Sequence, residues 1–103
     1  MAYDVLISEP AERDMAEILT YIKVNLCAPE AAKKLLTELK EQIMSLSTQP
    51  ERCPLVLDEV LAQKGYRKLI VQNYIVFYIV SQEEKRVTVY RVLYGRRQWE
   101  SLL

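Results

Sequence analysis

The stretch that decides the fold runs from residue 65 to 99, GYRKLIVQNYIVFYIVSQEEKRVTVYRVLYGRRQW. It holds three runs rich in β-branched and aromatic residues, Tyr66–Val71, Tyr74–Ser81 and Arg86–Tyr94. Two polar breaks, Gln72-Asn73 and Gln82–Lys85, separate them, which predicts a three-strand antiparallel meander. The middle run is apolar from Tyr74 to Val80 and should lie centrally, covered on both faces. Strand alternation sorts its side chains: Tyr74, Val76, Tyr78 and Val80 share one face, Ile75, Phe77 and Ile79 the other. Basic residues gather at the ends of the outer runs, with Lys64, Arg67 and Lys68 at one and Arg91, Arg96 and Arg97 at the other. In a meander of matched strands those two places lie at opposite ends of the sheet, and they form one patch only across the sheet face or where the chain after Tyr94 folds back.

Working backwards along the chain, Tyr3–Ser8 alternates weakly and predicts a first strand with Val5 and Ile7 on one side. Ser8-Glu9-Pro10 starts a helix: the serine caps, the proline suits the first turn, and Glu9 and Glu12 favour the positive end of the dipole. Ala11, Met15, Ile18, Leu19, Ile22 and Leu26 form its buried stripe to about Asn25. After Ala28-Pro29 a second helix runs to Leu46, with Ala32, Leu35, Leu36, Leu39, Ile43 and Leu46 inward, completing an antiparallel hairpin. Glu12, Asp14, Glu17, Glu30, Glu38 and Glu41 read as its solvated face. Pro50 and Pro54 forbid a continuous helix over 47–64, and Leu55–Leu61 fits either a short strand or a helical turn. A short helix after the meander would bring Trp99, Leu102 and Leu103 over the sheet. The expected fold is α+β in a single domain over 1–103: an N-terminal strand, a helical hairpin on one face of a mainly antiparallel four-stranded sheet, and a C-terminal helix.

Composition narrows the function. A chain of 103 residues, 50% hydrophobic and 27% charged, has enough apolar content for one modest core. No apolar run approaches the roughly 20 residues that span a bilayer. The N-terminus lacks a basic signal-peptide region, so a cytoplasmic protein is expected. The balance of zero conceals a split, a net of −5 over 1–62 and +5 over 63–103, which favours an anionic or acidic partner on the sheet side. With no histidine, catalysis through a histidine base and His-dependent zinc sites are excluded; Cys27 and Cys53 suggest no metal site, and reduced thiols are expected. No metal or cofactor is expected.

The basic residues, with Tyr66, Tyr94 and Trp99 among them, have the composition of a single-stranded RNA contact, although strand ends and sheet faces carry such residues without any ligand. RNA cleavage without metal or histidine needs a base, a cation for phosphate charge and an acid. Lys68, Arg96 or Arg97, and Tyr66 or Tyr94 are the candidates for those roles.

The element order, ISEPAERDMAEILTYI near the start, GYRK before the meander, NYIVFY within it and RVLYGRRQW at its end resemble the RelE/ParE toxins of bacterial type II toxin–antitoxin modules. RelE-like members are ribosome-dependent mRNA endonucleases. By that resemblance a catalytic lysine falls on Lys68 and a phosphate-binding arginine on Arg97. A second lysine position is Tyr66, and the arginine of the central strand is Ile75, which cannot hold a phosphate. The pattern is closer to the ParE-like branch, which traps DNA gyrase on cleaved DNA through a protein–protein contact. The resemblance therefore implies a growth-inhibiting toxin of plasmid-stabilization type, held by a cognate antitoxin in a hetero-oligomer. Its target- or antitoxin-binding candidates are Arg67, Ile75, Phe77, Arg91, Tyr94, Arg96, Arg97 and Trp99. The alternatives are a RelE-like mRNA endonuclease acting with the ribosome, and a degenerate member that only binds its partner.

Overall fold

The computed structural model describes residues 2–95 and Leu103. The meander forms as its sequence predicts: β2 is Arg67–Val71, β3 Tyr74–Ser81 and β4 Arg86–Tyr94, all antiparallel neighbours. Both turns use a left-handed residue, Gln72 at φ 54° and Lys85 at φ 52°. The N-terminal strand β1, Asp4–Ile7, joins β4 in parallel, giving the order β1-β4-β3-β2. A parallel neighbour needs a long crossover, and the helical hairpin provides it.

Helix α1, Glu9–Thr20, begins as expected: the Ala11 N–H donates to the Ser8 hydroxyl at 3.2 Å, and Pro10 sits in the first turn. Beyond Thr20 the chain passes into one π-helical turn, Tyr21–Asn25, closed by the Leu26 N–H on the Tyr21 carbonyl at 3.1 Å. Each residue of a π turn rotates the chain less than in an α-helix, so the 3.6-residue stripe fails at its last member. Ile22 is buried, but Leu26, expected inward, is 56% exposed. Helix α2, Pro29–Met44, continues as a 3₁₀ turn to Ser47, and buries Ala32, Leu35, Leu39, Ile43 and Leu46, with Leu36 half-buried. These residues pack on Leu69, Val71, Val76, Tyr78, Val87, Val89 and Val92, the face of the sheet that strand alternation assigns to the hairpin.

The stretch 47–64 resolves into three pieces. A 3₁₀ turn, Pro50–Arg52, is followed by a bridge of Leu55 to Arg67 and then by α3, Glu59–Gln63. Asp58 caps α3 by accepting the Leu61 N–H at 3.0 Å. This segment, with Leu103, covers the second face: Val56, Leu61 and Tyr66 are buried there with Phe77 and Leu93. The sequence expectation assigned cover of the sheet to the helix carrying Trp99, Leu102 and Leu103. The helix expected after Tyr94, with Arg96, Arg97 and Trp99, lies outside the described residues.

Tyr78, fully buried, donates its hydroxyl to the Pro50 carbonyl at 2.7 Å and ties this segment to the sheet. Burial first, then the Cys53 thiol, pushes the phenol well above its ordinary value of 10.0. Tyr66 and Tyr74 shift in the same direction, each mainly through burial. A raised folded-state value means that the stabilisation is whole below the unfolded phenol's range and is lost as pH climbs toward the folded value. Stability should therefore fall above about pH 10. In Tyr78→Phe that alkaline slope should flatten, while stability at pH 7 drops by about 1–3 kcal/mol because the Pro50 carbonyl loses its donor. Urea unfolding midpoints at pH 7 and pH 10.5 test both effects; an unchanged slope in the variant would remove Tyr78 as its source.

Candidate functional site

The register brings Lys68, Phe77 and Arg91 into one row across β2, β3 and β4. Matched strands would have kept the two basic ends apart. The row exists because β4 carries one extra residue, Tyr90, where the register shifts opposite Phe77 and Tyr78. The three side chains nevertheless go separate ways. Lys68 is half-buried on the second face and has no ion pair among the described residues. Phe77 is 0% exposed. Arg91 turns to α1, where Nε and Nη2 donate to the Asp14 carboxylate at 2.6 and 2.9 Å.

Asp14 was expected on the solvated helix face; it is buried at 8% exposure. The cause is the length difference between neighbouring strands. β1 ends at Ile7, paired with Val89, while β4 runs on to Tyr94, so the Val92 N–H has no β1 residue to bond. Asp14 takes that N–H at 3.1 Å as well as the arginine. The shared hydrogen bond raises the Arg91 pKa further, against the opposing effect of burial. A signal existed in the sequence: Asp14 follows Ala11 by three positions, which puts an acid on the buried stripe.

Arg67 projects from the opposite side of β2 to Lys68. Its Nη1 donates to the Cys53 carbonyl at 2.6 Å and Nη2 lies 3.5 Å from the Glu51 carboxylate. It fastens the 50–54 segment to the sheet. Lys68 and Arg67 therefore do not form one cationic cluster, in keeping with strand alternation.

At the other end of the sheet, Ile70, Ile75 and Leu93 form a wholly apolar row. Beside it Tyr94 pairs with Tyr74 in register, their rings 5.8 Å apart at 65°. Gly95 fixes where the chain leaves: its N–H donates to the Asn73 carbonyl at 2.8 Å, and a Cβ there would lie 3.2 Å from that oxygen. A groove of about 650 Å³ lies between this corner and the end of α1, lined by Glu17, Ile18, Tyr21, Leu26, Asn73, Tyr74 and Tyr94. Sequence reading missed its helical wall, because Leu26 sat on the buried stripe. Of the candidate site residues, Ile75 and Tyr94 border this corner, Lys68, Phe77 and Arg91 share the row one step along, and Arg67 is on the hairpin side. Among the described residues no three of Cys, Asp and Glu gather to hold a metal ion.

This fold and the split site can be set beside known proteins. A family model for the ParE toxin of the type II toxin–antitoxin system parDE matches residues 5–99. The chain belongs to the ParE toxin family. Its fold is similar to that of the chromosomal ParDE system of P. aeruginosa, with a TM-score of 0.72 at 21% identity over 90% of this chain and 96% of that one. The RelBE2 toxin–antitoxin complex of Mycobacterium tuberculosis gives a TM-score of 0.65 at 20% identity, covering 91% of this chain and 99% of the other. A free, doubly substituted E. coli RelE toxin gives 0.63 at 16% identity over 93% of this chain and 86% of that one. Among curated protein sequences none matches the chain. This ParE-family toxin thus has the α+β architecture that ParE and RelE proteins share, and among the described residues no helix is long and apolar enough to cross a membrane.

Proposed function

We propose that this ParE-family protein is the toxin of a type II module that inhibits DNA gyrase in the cytoplasm through a protein–protein contact and is neutralised by a cognate antitoxin. The observation that carries the reading is the apolar row of Ile70, Ile75 and Leu93. Where resemblance to RelE would put a phosphate-clamping arginine, the neighbours on both sides are hydrocarbon. A scissile phosphate gathers charge in the transition state, and losing a cation that meets it costs about 2–3 orders of magnitude in rate. Lys68 remains in the middle of the second face, but the row beside it is filled by buried Phe77, and Arg91 is committed to Asp14. The exposed part of this corner, Ile70 with Tyr94, is apolar and aromatic and suits a protein partner better than an RNA backbone.

Expression without antitoxin provides the test. Gyrase supercoiling should be inhibited with accumulation of cleaved DNA, and mRNA on translating ribosomes should stay intact. Codon-dependent mRNA cuts that vanish in Lys68→Ala and Arg97→Ala, with gyrase unaffected, would make the RelE-like endonuclease the correct reading instead.

A further inference from the structure

The outer edge of the sheet, at β1, is open. The N–H groups of Asp4 and Ser8 donate to the carbonyls of Lys85 and Val89, each at 2.9 Å, so Asp4, Leu6 and Ser8 turn their backbone toward β4. Val5 and Ile7 therefore point their N–H and C=O groups away from the sheet. Among the described residues no backbone bond meets them there, whereas the Tyr3 N–H just before them donates to the Ser47 carbonyl at 2.7 Å. Proteins usually blunt such an edge with a charge or a proline. Here the residue between the two open positions is Leu6, 47% exposed, with Tyr90, 39% exposed, two places beyond its partner Thr88 on β4.

We infer that this edge pairs with the same edge of a second copy of the chain, antiparallel about a two-fold axis at Leu6, joining the two four-stranded sheets into one. In that register Val5 exchanges both backbone bonds with Ile7 of the second copy, and Ile7 with its Val5, so every open group is satisfied. Centred on Val5 instead, the pairing would set Ile7 against Tyr3, whose N–H is already bonded to Ser47. Centred on Ile7, it would set Val5 against Glu9, which is already helical. With Leu6 on the axis, each leucine meets its own copy at a non-bonded position, where facing side chains come closest. Continuing the register brings Glu9 of the second copy to Tyr3, and Lys85 lies over the Tyr3 ring at 5.4 Å. Glu9 is 88% exposed and only loosely paired to Arg13, at 3.8 Å, so opposite charges meet at both ends of the pairing. An edge that satisfies its own hydrogen bonds, apolar side chains and charges when rotated onto itself selects a second copy over an unrelated extended peptide.

The full chain, purified free of antitoxin, should sediment as a concentration-dependent mixture of monomer and dimer. Because the contact is small, the midpoint should fall on the order of 10 μM. Leu6→Lys, which sets two cations together at the axis, should leave the protein monomeric throughout that range. Leu57→Glu, at a site 88% exposed and away from this edge, should associate like the parent. Glu9→Lys and Lys85→Glu should each weaken association several-fold, and the double swap should recover it. Leu6→Cys in a Cys27→Ser background reads the register directly. Cysteines facing each other at a non-bonded antiparallel pair have Cα atoms about 4.5 Å apart and close a disulfide on mild oxidation. Asp4→Cys in the same background faces Ser8 of the second copy and should not cross-link. If circular dichroism of Leu6→Lys departs from the parent, the Leu6→Cys cross-link decides. A parent that stays monomeric at its highest soluble concentration would overturn the inference. So would parental association of a folded Leu6→Lys, or cross-linking of Asp4→Cys as efficient as that of Leu6→Cys. Protection of the Val5 and Ile7 amides from hydrogen exchange that arises only on adding antitoxin would give the edge to the antitoxin and overturn it as well. None of these readouts involves gyrase, so they stand whether or not gyrase is the target.

Discussion

Removing the Asp14 carboxylate should destabilise the fold by about 2–4 kcal/mol. Breaking a buried ion pair by deleting one partner costs about 3–5 kcal/mol, and the range here is lower because water can reach the Arg91 side chain, which is 21% exposed. Asp14→Ala removes two different things, the acid that faces Arg91 and the acceptor for the Val92 N–H on the stretch of β4 that β1 does not reach. Asp14→Asn keeps an oxygen for the backbone and loses the charge, so it should fall between the parent and Asp14→Ala. Urea denaturation of the three proteins measures the split. If Asp14→Ala unfolded within about 0.5 kcal/mol of the parent, as ordinary surface substitutions do, the strand-end role given to Asp14 would be wrong. The prediction bears on function because the same pair occupies Arg91. An arginine held by an internal carboxylate has less charge to offer an acidic partner, so charge reversal at Arg91 should act on stability first.

Phe77→Ala should cost about 3–5 kcal/mol, the usual loss for a large aromatic deleted from a packed interior. Phe77 is fully buried between β2 and β4 and packs with Val56, Leu61, Tyr66 and Leu93. Phe77→Leu keeps most of the volume and should lose far less, under about 1.5 kcal/mol. The comparison has a functional edge, since Phe77 was a candidate contact residue. With the side chain under the 55–66 segment, Phe77→Ala should weaken partner binding only in proportion to unfolded protein, and Phe77→Leu should bind normally. A Phe77→Leu protein that folds like the parent and yet loses its partner would return Phe77 to the contact surface.

Much of this was legible in the sequence. The polar breaks around Tyr74–Ser81 gave β3 its bounds, strand parity gave its two faces, and Ser8-Glu9-Pro10 gave the start of α1, because these signals depend on near neighbours in the chain. Ile75 was equally informative: an isoleucine on the central strand removes a cation wherever the strand lies. The sequence by itself therefore determined the two long helices, the four strands and the strand face that meets the hairpin, and it left residues 47–64 and the cover of the second face open. Three other features depended on tertiary structure. The length mismatch between β1 and β4 turned Asp14 from a solvent-facing acid into a buried one. The extra residue at Tyr90 put Lys68, Phe77 and Arg91 into one row. The π turn moved Leu26 from the core to a groove wall. In the first two cases the deciding quantity was how two segments distant in sequence end or slip against each other. Local periodicity carries no information on that, because a shift of a single residue leaves composition and spacing unchanged while it redirects every side chain beyond it.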